Sequence, residues 1–464
     1  MRDKSKLIKN TAIIAIGKCS TQVVSFILLP MYTKILSESE YGTFDFISTV
    51  ALFLIPFITL LMEEAMFRFL IDADTDDKKR LIITQSIIYI MITTALFSAV
   101  SFISLNLVGY YLTNYLIMYV IASILNSLAE TLLRGLSRIK EYSIFGFLTS
   151  FLNLVLNIVL VLGLRAGVKG LLIAYIVSNL ISAIIIFIRT NIKQYISFEY
   201  LNIDIMKSMI KYSYPLVPNS ISWVIINLSD RLVITTFLGT AANGIYAVSN
   251  KFPNLINTIY GFFYTAWKEE AARAIKDTNC NEYYCSIYKQ LKRFLFAISV
   301  GLIAVLPFMF DIFINEKFKD AYIYIPILVL SIFFSNISGF YGGIFSAKKD
   351  TKIMGTTTIV SAIVNIVVNL ALVKFIGIYA AVLSTFISSF LICVYRKYKL
   401  KKYVEFESDN IYTIVSIVIF FIIFWCYYSK SNIFYILGFI LAVVYSCITN
   451  LDMLKMIISK VRGK

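Results

Sequence analysis

Long apolar runs separated by short polar connections fill the chain from Asn10 to Asn450. Fourteen are distinguishable, near 10–30, 43–66, 81–105, 112–133, 143–163, 168–188, 212–237, 243–266, 294–314, 322–345, 353–373, 377–395, 411–428 and 433–450. Each approaches the roughly 20 residues that an α-helix needs to cross a bilayer. The runs are continuous rather than alternating, which predicts helices and not barrel strands. The pattern therefore predicts an all-α polytopic membrane protein of about fourteen transmembrane helices, with almost no sequence left for a soluble domain.

The polar punctuation repeats. Tyr32 to Phe44 lines up with Ile234 to Tyr246 at a constant offset of 202, pairing Gly42 with Gly244. Asn153-Leu-Val-Leu-Asn157 and the four residues after it line up with Asn365-Ile-Val-Val-Asn369 and its successors at an offset of 212, five of nine positions being identical. A glycine, Gly167 or Gly377, then opens the next span. The expected organisation is an N-terminal six-helix half over 1–200, a second over 201–400, and two additional helices with a tail over 401–464. Six is even, so the halves are parallel repeats related by an axis along the membrane normal, as in some transporters.

Charge sets the orientation. Net charge is +16, with 43 Lys and Arg against 27 Asp and Glu. In a soluble protein this would suggest a nucleic-acid partner. Here 33 of the basic residues fall on one side of the predicted membrane and 7 on the other, the former including five in the segment 396–410. That asymmetry places both termini in the cytoplasm by the positive-inside rule, and no nucleic acid is expected. The basic start (Arg2, Lys4, Lys6, Lys9) resembles a signal peptide, but Lys18 interrupts an apolar region that is already too long for one.

Several classes are excluded. The chain has no His, the commonest acid–base residue and metal ligand. Its six Cys show no metal or redox spacing. There is no phosphate-binding glycine loop, no regular Arg repeat of a voltage sensor, and no large outside loop to house an enzyme site. No catalytic residue, metal or cofactor is expected.

Polar residues within the spans are the candidates, because a charge at the bilayer centre costs about 2.5–3.5 kcal/mol even on the lenient insertion scale. Lys18 lies about 13 Å into the first span at 1.5 Å per residue, with Gln22 one turn on. Asn219, Trp223, Asn227, Asp230 and Arg231 form a polar stripe on the seventh span. Lys251 sits at mid-depth in the eighth, just before Pro253, where a local break would bare carbonyls. Pro215 and Pro218 are expected to bend the start of the seventh. Asp45, Glu63 and Glu64 on the second span are candidate coupling-ion sites, although Glu63, Glu64 and Glu130 lie close enough to the cytoplasmic surface to be solvated. Asn153, Asn157, Asn365 and Asn369 are expected to hydrogen-bond between helices.

Three patches carry a family resemblance. They are Lys9-Asn10-Thr11 with Pro30-Met31-Tyr32-Thr33 and Leu36 to Gly42; Glu63 to Phe69; and Asp230-Arg231-Leu232 with Leu238-Gly239 and Gly244 to Lys251. With the fourteen spans, they resemble the polysaccharide-flippase branch (Wzx-type O-antigen and capsule-unit flippases) of the multidrug/oligosaccharidyl-lipid/polysaccharide exporter superfamily. The resemblance implies a bacterial inner-membrane protein that moves a polyprenyl-diphosphate-linked oligosaccharide from the cytoplasmic to the outer leaflet. It implies alternating access through a cationic central cavity, a demand that Lys18, Arg231 and Lys251 fit, with Gln22, Asn227 and Asp230 beside them. The implied partners are the lipid-linked oligosaccharide and membrane lipid, with a polysaccharide polymerase as a further candidate and a monomeric state. The rivals are a cation-coupled multidrug exporter of the same superfamily and an integral-membrane polymerase or ligase. The mid-depth lysines argue against the first, the short outside loops against the second.

Overall fold

The computed structural model describes residues 24, 26–274, 279–348, 350–406, 410–451 and 455. Among these the fold is all-helical, with no strand. The helices are α1 (Phe26–Ile35), α2 (Glu38–Thr59), α3 (Met62–Ile71), α4 (Asp76–Leu107), α5 (Thr113–Gly135), α6 (Ile139–Asn157), α7 (Gly167–Arg189), α8 (Ile203–Ser213), α9 (Val217–Leu238) and α10 (Thr240–Ala274). They continue with α11 (Cys280–Phe313), α12 (Ile325–Ala347), α13 (Thr351–Ile376), α14 (Tyr379–Leu400), α15 (Asn410–Tyr428) and α16 (Asn432–Thr449). Eleven of the helical stretches are long and apolar enough to cross a membrane. The chain is thus a multi-pass membrane protein.

Helix ends follow local chemistry. α2 begins at a capping box: the Glu40 amide donates to Ser37 Oγ at 3.2 Å while the Ser37 amide donates to Glu40 Oε2 at 2.9 Å. Asn202 Oδ1 caps α8 by accepting from the amides of Asp204 and Ile205. α6 ends in a π-helical turn over Ile158–Gly163. Gly167 and Gly377, the two glycines of the sequence repeat, both sit at φ +58, where a side chain is strained.

The second apolar run is not one helix. α2 stops at Thr59, and Leu60 (φ 47) and Leu61 (φ 55) both adopt the left-handed region before α3 starts. Left-handed geometry costs an L-residue about 1–2 kcal/mol. The Leu61 amide recovers a partner in Thr59 Oγ1 at 3.1 Å. Continuous hydrophobicity cannot report such a break, because both leucines are as apolar as their neighbours.

The chain divides into two compact units, 1–231 and 232–464. In the first, α5 is central: 67% of its most apolar window is buried, against 17% for α6. Ile47, Met62, Met66, Ile83, Val120, Leu132 and Leu172 belong to one core around it. In the second, the stretch ending in α12 holds the corresponding place, at 67%. Tyr260 and Trp267 of α10 lie over Gly339 and Gly343 of α12, where a Cβ would collide with either ring, and Trp267 Nε1 donates to the Phe340 carbonyl at 3.0 Å. α15 is tied to the 3-10 segment Glu316–Tyr324. There Tyr427 stacks on Tyr322 at 4.0 Å, and the Tyr427 and Tyr428 hydroxyls donate to the carbonyls of Tyr322 and Ile323.

The asparagine pairs behave differently from each other. Asn365 Nδ2 of α13 donates to Ser384 Oγ and Thr385 Oγ1 of α14, both at 3.2 Å, as expected for a bond between helices. Asn157 Nδ2 instead donates to the Asn153 carbonyl at 2.7 Å and to Asn153 Oδ1, within α6. Positions i and i+4 share a helix face, so the Asn157 amide finds Asn153 before it finds a neighbouring helix.

Candidate functional site

Two of the acidic and basic candidates meet. Asp45 lies on α2 and Arg231 on α9, 186 residues apart. Arg231 Nε donates to Asp45 Oδ2 at 2.6 Å and Nη2 to Oδ1 at 3.5 Å, while Nη1 donates to the Asn227 carbonyl one turn earlier at 3.1 Å. The side chains are only 12% and 16% exposed. A guanidinium held side-on by a carboxylate is charge-balanced. The structure thus joins as one ion pair two residues that the sequence analysis held as a cavity cation and a separate candidate ion site.

The other candidates lie apart from this pair or outside the described residues. Lys18 and Gln22 are among the latter. Asp230 is buried. Asn227 is exposed and contributes its backbone carbonyl. Lys251 is half-buried on α10, which runs uninterrupted through Pro253, so the proline opens no gap in the helix. Pro215 lies in a 3-10 turn, Tyr214–Leu216, and Pro218 in the first turn of α9.

Glu63 departs from the solvated surface residue of the sequence analysis. It is 7% exposed, its Oε1 accepts from Thr59 Oγ1 at 3.3 Å, and its Oε2 has no hydrogen-bond partner among the described residues. Its helix, α3, begins directly after the break at Leu60–Leu61. Glu64 is half-buried, and Glu130 Oε1 accepts from Asn126 Nδ2 at 3.0 Å.

Two features escaped the sequence. The first is Arg396, counted there with the cytoplasmic basic loop. α14 extends past it to Leu400, and the residue is 1% exposed. Its Nε donates to Thr357 Oγ1, Nη1 to the Ser338 carbonyl and hydroxyl, and Nη2 to the Met354 carbonyl and Thr358 Oγ1, at 3.0–3.3 Å. Every acceptor is neutral, and no carboxylate pairs with it among the described residues.

The second is the exposed face of α10. Asn254, Asn257, Gly261, Thr265 and Lys268 are exposed, Asn250 and Thr258 half-buried, and Phe252, Ile256, Tyr260 and Trp267 buried. At 3.6 residues per turn the polar set falls on one stripe and the buried aromatics on another. Neither α9 nor α10 is among the eleven apolar spans, although both have spanning length. The spacing 254, 257, 258, 261 and 265 was visible in the sequence, and only the intervening aromatics hid it.

Residues 7–267 match the model of a family described as "Polysaccharide biosynthesis protein". No curated protein matches the chain. Among solved structures, the lipid II flippase MurJ in an inward closed conformation is similar at a TM-score of 0.77 and 14% identity, covering 96% of this chain and 100% of that one. An inward-facing multidrug resistance MATE family transporter of the MOP superfamily is similar at 0.59 and 14%, covering 82% and 98%. The Vibrio cholerae MATE transporter VcmN is similar at 0.56 and 16%, covering 88% and 98%.

Proposed function

The chain belongs to the polysaccharide biosynthesis protein family, a group of membrane transporters rather than enzymes with the fold of the multidrug/oligosaccharidyl-lipid/polysaccharide exporter superfamily, and on that premise we propose that it flips a polyprenyl-diphosphate-linked oligosaccharide across the bacterial inner membrane for surface polysaccharide assembly (O-antigen, capsule or exopolysaccharide). The observation that carries this reading is the family match over 7–267. Likeness of fold to a lipid II flippase supports it.

In this reading the eleven apolar spans, the spanning-length helices α9 and α10 and the first apolar run are taken as fourteen crossings, with both termini cytoplasmic and two parallel six-helix halves. Alternating access takes place through a cationic cavity. Lys18 and Lys251 receive the diphosphate at mid-depth. Arg231 then exchanges Asp45 for it and hands it outward, while the polyprenyl tail stays in lipid. An anion moving outward is favoured by an inside-negative potential. At about 2.3 kcal/mol per charge per 100 mV, two charges gain on the order of 4–5 kcal/mol, which biases the cycle without requiring a coupling ion at Asp45, Glu63 or Glu64. The protein acts as a monomer and delivers its cargo to a polysaccharide polymerase.

Deletion of the gene tests the reading. The expected result is loss of the surface polymer with lipid-linked repeat units accumulating in the cytoplasmic leaflet, restored by the wild-type chain but not by Lys18→Glu or Lys251→Glu variants that still insert. An unchanged polymer and lipid-linked pool in a strain without a second flippase would overturn it in favour of the drug-exporter reading.

A further inference from the structure

We propose that the amide and hydroxyl stripe of α10, formed by Asn254, Asn257, Thr258 and Thr265, is the surface that hydrogen-bonds the sugar portion of the cargo; the inference rests on the flippase reading. α10 is 35 residues long, about 52 Å at 1.5 Å per residue, and so exceeds the bilayer's hydrocarbon core. Its stripe lies well inside that length. Hydrocarbon offers no hydrogen-bond partner, and an unpaired polar group there costs several kcal/mol. Asn254 and Asn257 are exposed, and their side chains make no hydrogen bond among the described residues. The face that carries them therefore meets water or a polar cargo. The lipid-compatible face lies elsewhere on the same helix, where Ile259 and Ala266 are exposed.

The chemistry of the stripe selects the occupant. Each asparagine amide offers two donors and a carbonyl acceptor. Thr258 and Thr265 spend their protons on the carbonyls of Asn254 (2.9 Å) and Gly261 (3.0 Å), which leaves their oxygens as acceptors. Mixed donors and acceptors without net charge match the hydroxyls of a carbohydrate. They do not match a diphosphate, which needs cations, or a cationic drug, which needs an acidic or apolar wall. Gly261 stands in the middle of the stripe, with nothing within 4 Å of the position a Cβ would take, so a sugar ring can approach the helix backbone there. Tyr264 borders the stripe, half-buried, its ring stacked on Tyr260 at 5.7 Å and lying 5.6 Å from Lys268 Nζ. The cations lie beyond the two ends, at Lys251 and Lys268, about 25 Å apart along the axis. Diphosphate and sugar are thereby received by different groups of one helix.

The test uses the purified full-length chain in nanodiscs and two probes: undecaprenyl diphosphate, and the undecaprenyl-diphosphate-linked repeat unit extracted from source cells. Thermal stabilisation is titrated for the wild type and for the triple variant Asn254→Leu, Asn257→Leu, Thr265→Val, whose side chains are close in size to the originals. The expected result is tighter binding of the glycosylated probe by the wild type. The triple variant should lose at least tenfold in affinity for that probe and keep its response to undecaprenyl diphosphate, which also shows that it is folded. Equal affinities of variant and wild type for the glycosylated probe would overturn the sugar stripe and leave the flippase reading standing. A wild type that responds to neither probe would overturn both. If the triple variant loses both responses, the single variants Asn254→Leu and Asn257→Leu decide by the same criterion.

Discussion

Replacing Arg396 should reverse the usual ranking of substitutions. The side chain is 1% exposed and makes five hydrogen bonds, all to neutral oxygens of α12 and α13. A hydrogen bond to a charged group contributes about 1.5–3 kcal/mol. Lysine keeps the charge but has three donors on one nitrogen, so Arg396→Lys loses at least two bonds and about 3–6 kcal/mol while retaining an uncompensated buried ion. Methionine loses all five bonds but also removes the ion, whose effective desolvation cost is several kcal/mol. The hydroxyls of Thr357 and Thr358 keep their own acceptors at the Ile353 and Met354 carbonyls. Arg396→Met should therefore lie within about 2 kcal/mol of the wild type and above Arg396→Lys. Buried Cys285, Cys393 and Cys426 serve as native reporters: a thiol-reactive fluorophore added during a thermal ramp in detergent reads their exposure. A lysine variant as stable as the wild type, or more stable than the methionine variant, would refute the argument that an unpaired buried charge is held here by dipoles alone.

Three further outcomes are expected. Asp45→Asn and Arg231→Gln should each destabilise, and a double-mutant cycle should return a coupling of about 1–3 kcal/mol, between the values for exposed and fully buried pairs; a coupling near zero would mean that the pair is not formed in the membrane. Gly167→Ala should cost more than Gly377→Ala although both glycines share φ +58, because a Cβ at 167 meets the Glu40 carboxylate of the α2 capping box whereas nothing lies within 4 Å at 377; equal melting temperatures for the two variants would count against the clash. Outside the spans, hydrogen bonds from Lys402 first and Tyr403 second hold the Asp350 carboxyl below its usual range. Because the folded value is the lower one, the contribution is complete above the ordinary carboxylate pKa of about 4 and is lost as pH falls through the depressed value. A melting-temperature profile between pH 6 and 3 should therefore flatten slightly in Asp350→Asn, and an unchanged profile would remove the pair from the acid response.

Hydropathy carried the helical class, eleven of its fourteen expected spans matching helices long and apolar enough to cross a membrane, and the repeat of polar residues carried the turn glycines, because each depends on a run of neighbouring residues or on one backbone angle. Of the asparagines expected to bond between helices, Asn365 does so from α13 to α14, whereas Asn157 finds Asn153 on its own helix. Tertiary structure decided what depends on which face of a helix meets which neighbour. An average over a window cannot see two leucines turn left-handed at 60–61, nor tell that Arg396 points inward while its basic neighbours do not. It cannot bring Asp45 to Arg231 across 186 residues. The α10 stripe falls between the two cases. Its spacing is written in the sequence, but its exposure exists only because Tyr260 and Trp267 lock the opposite side of the helix against the glycines of α12.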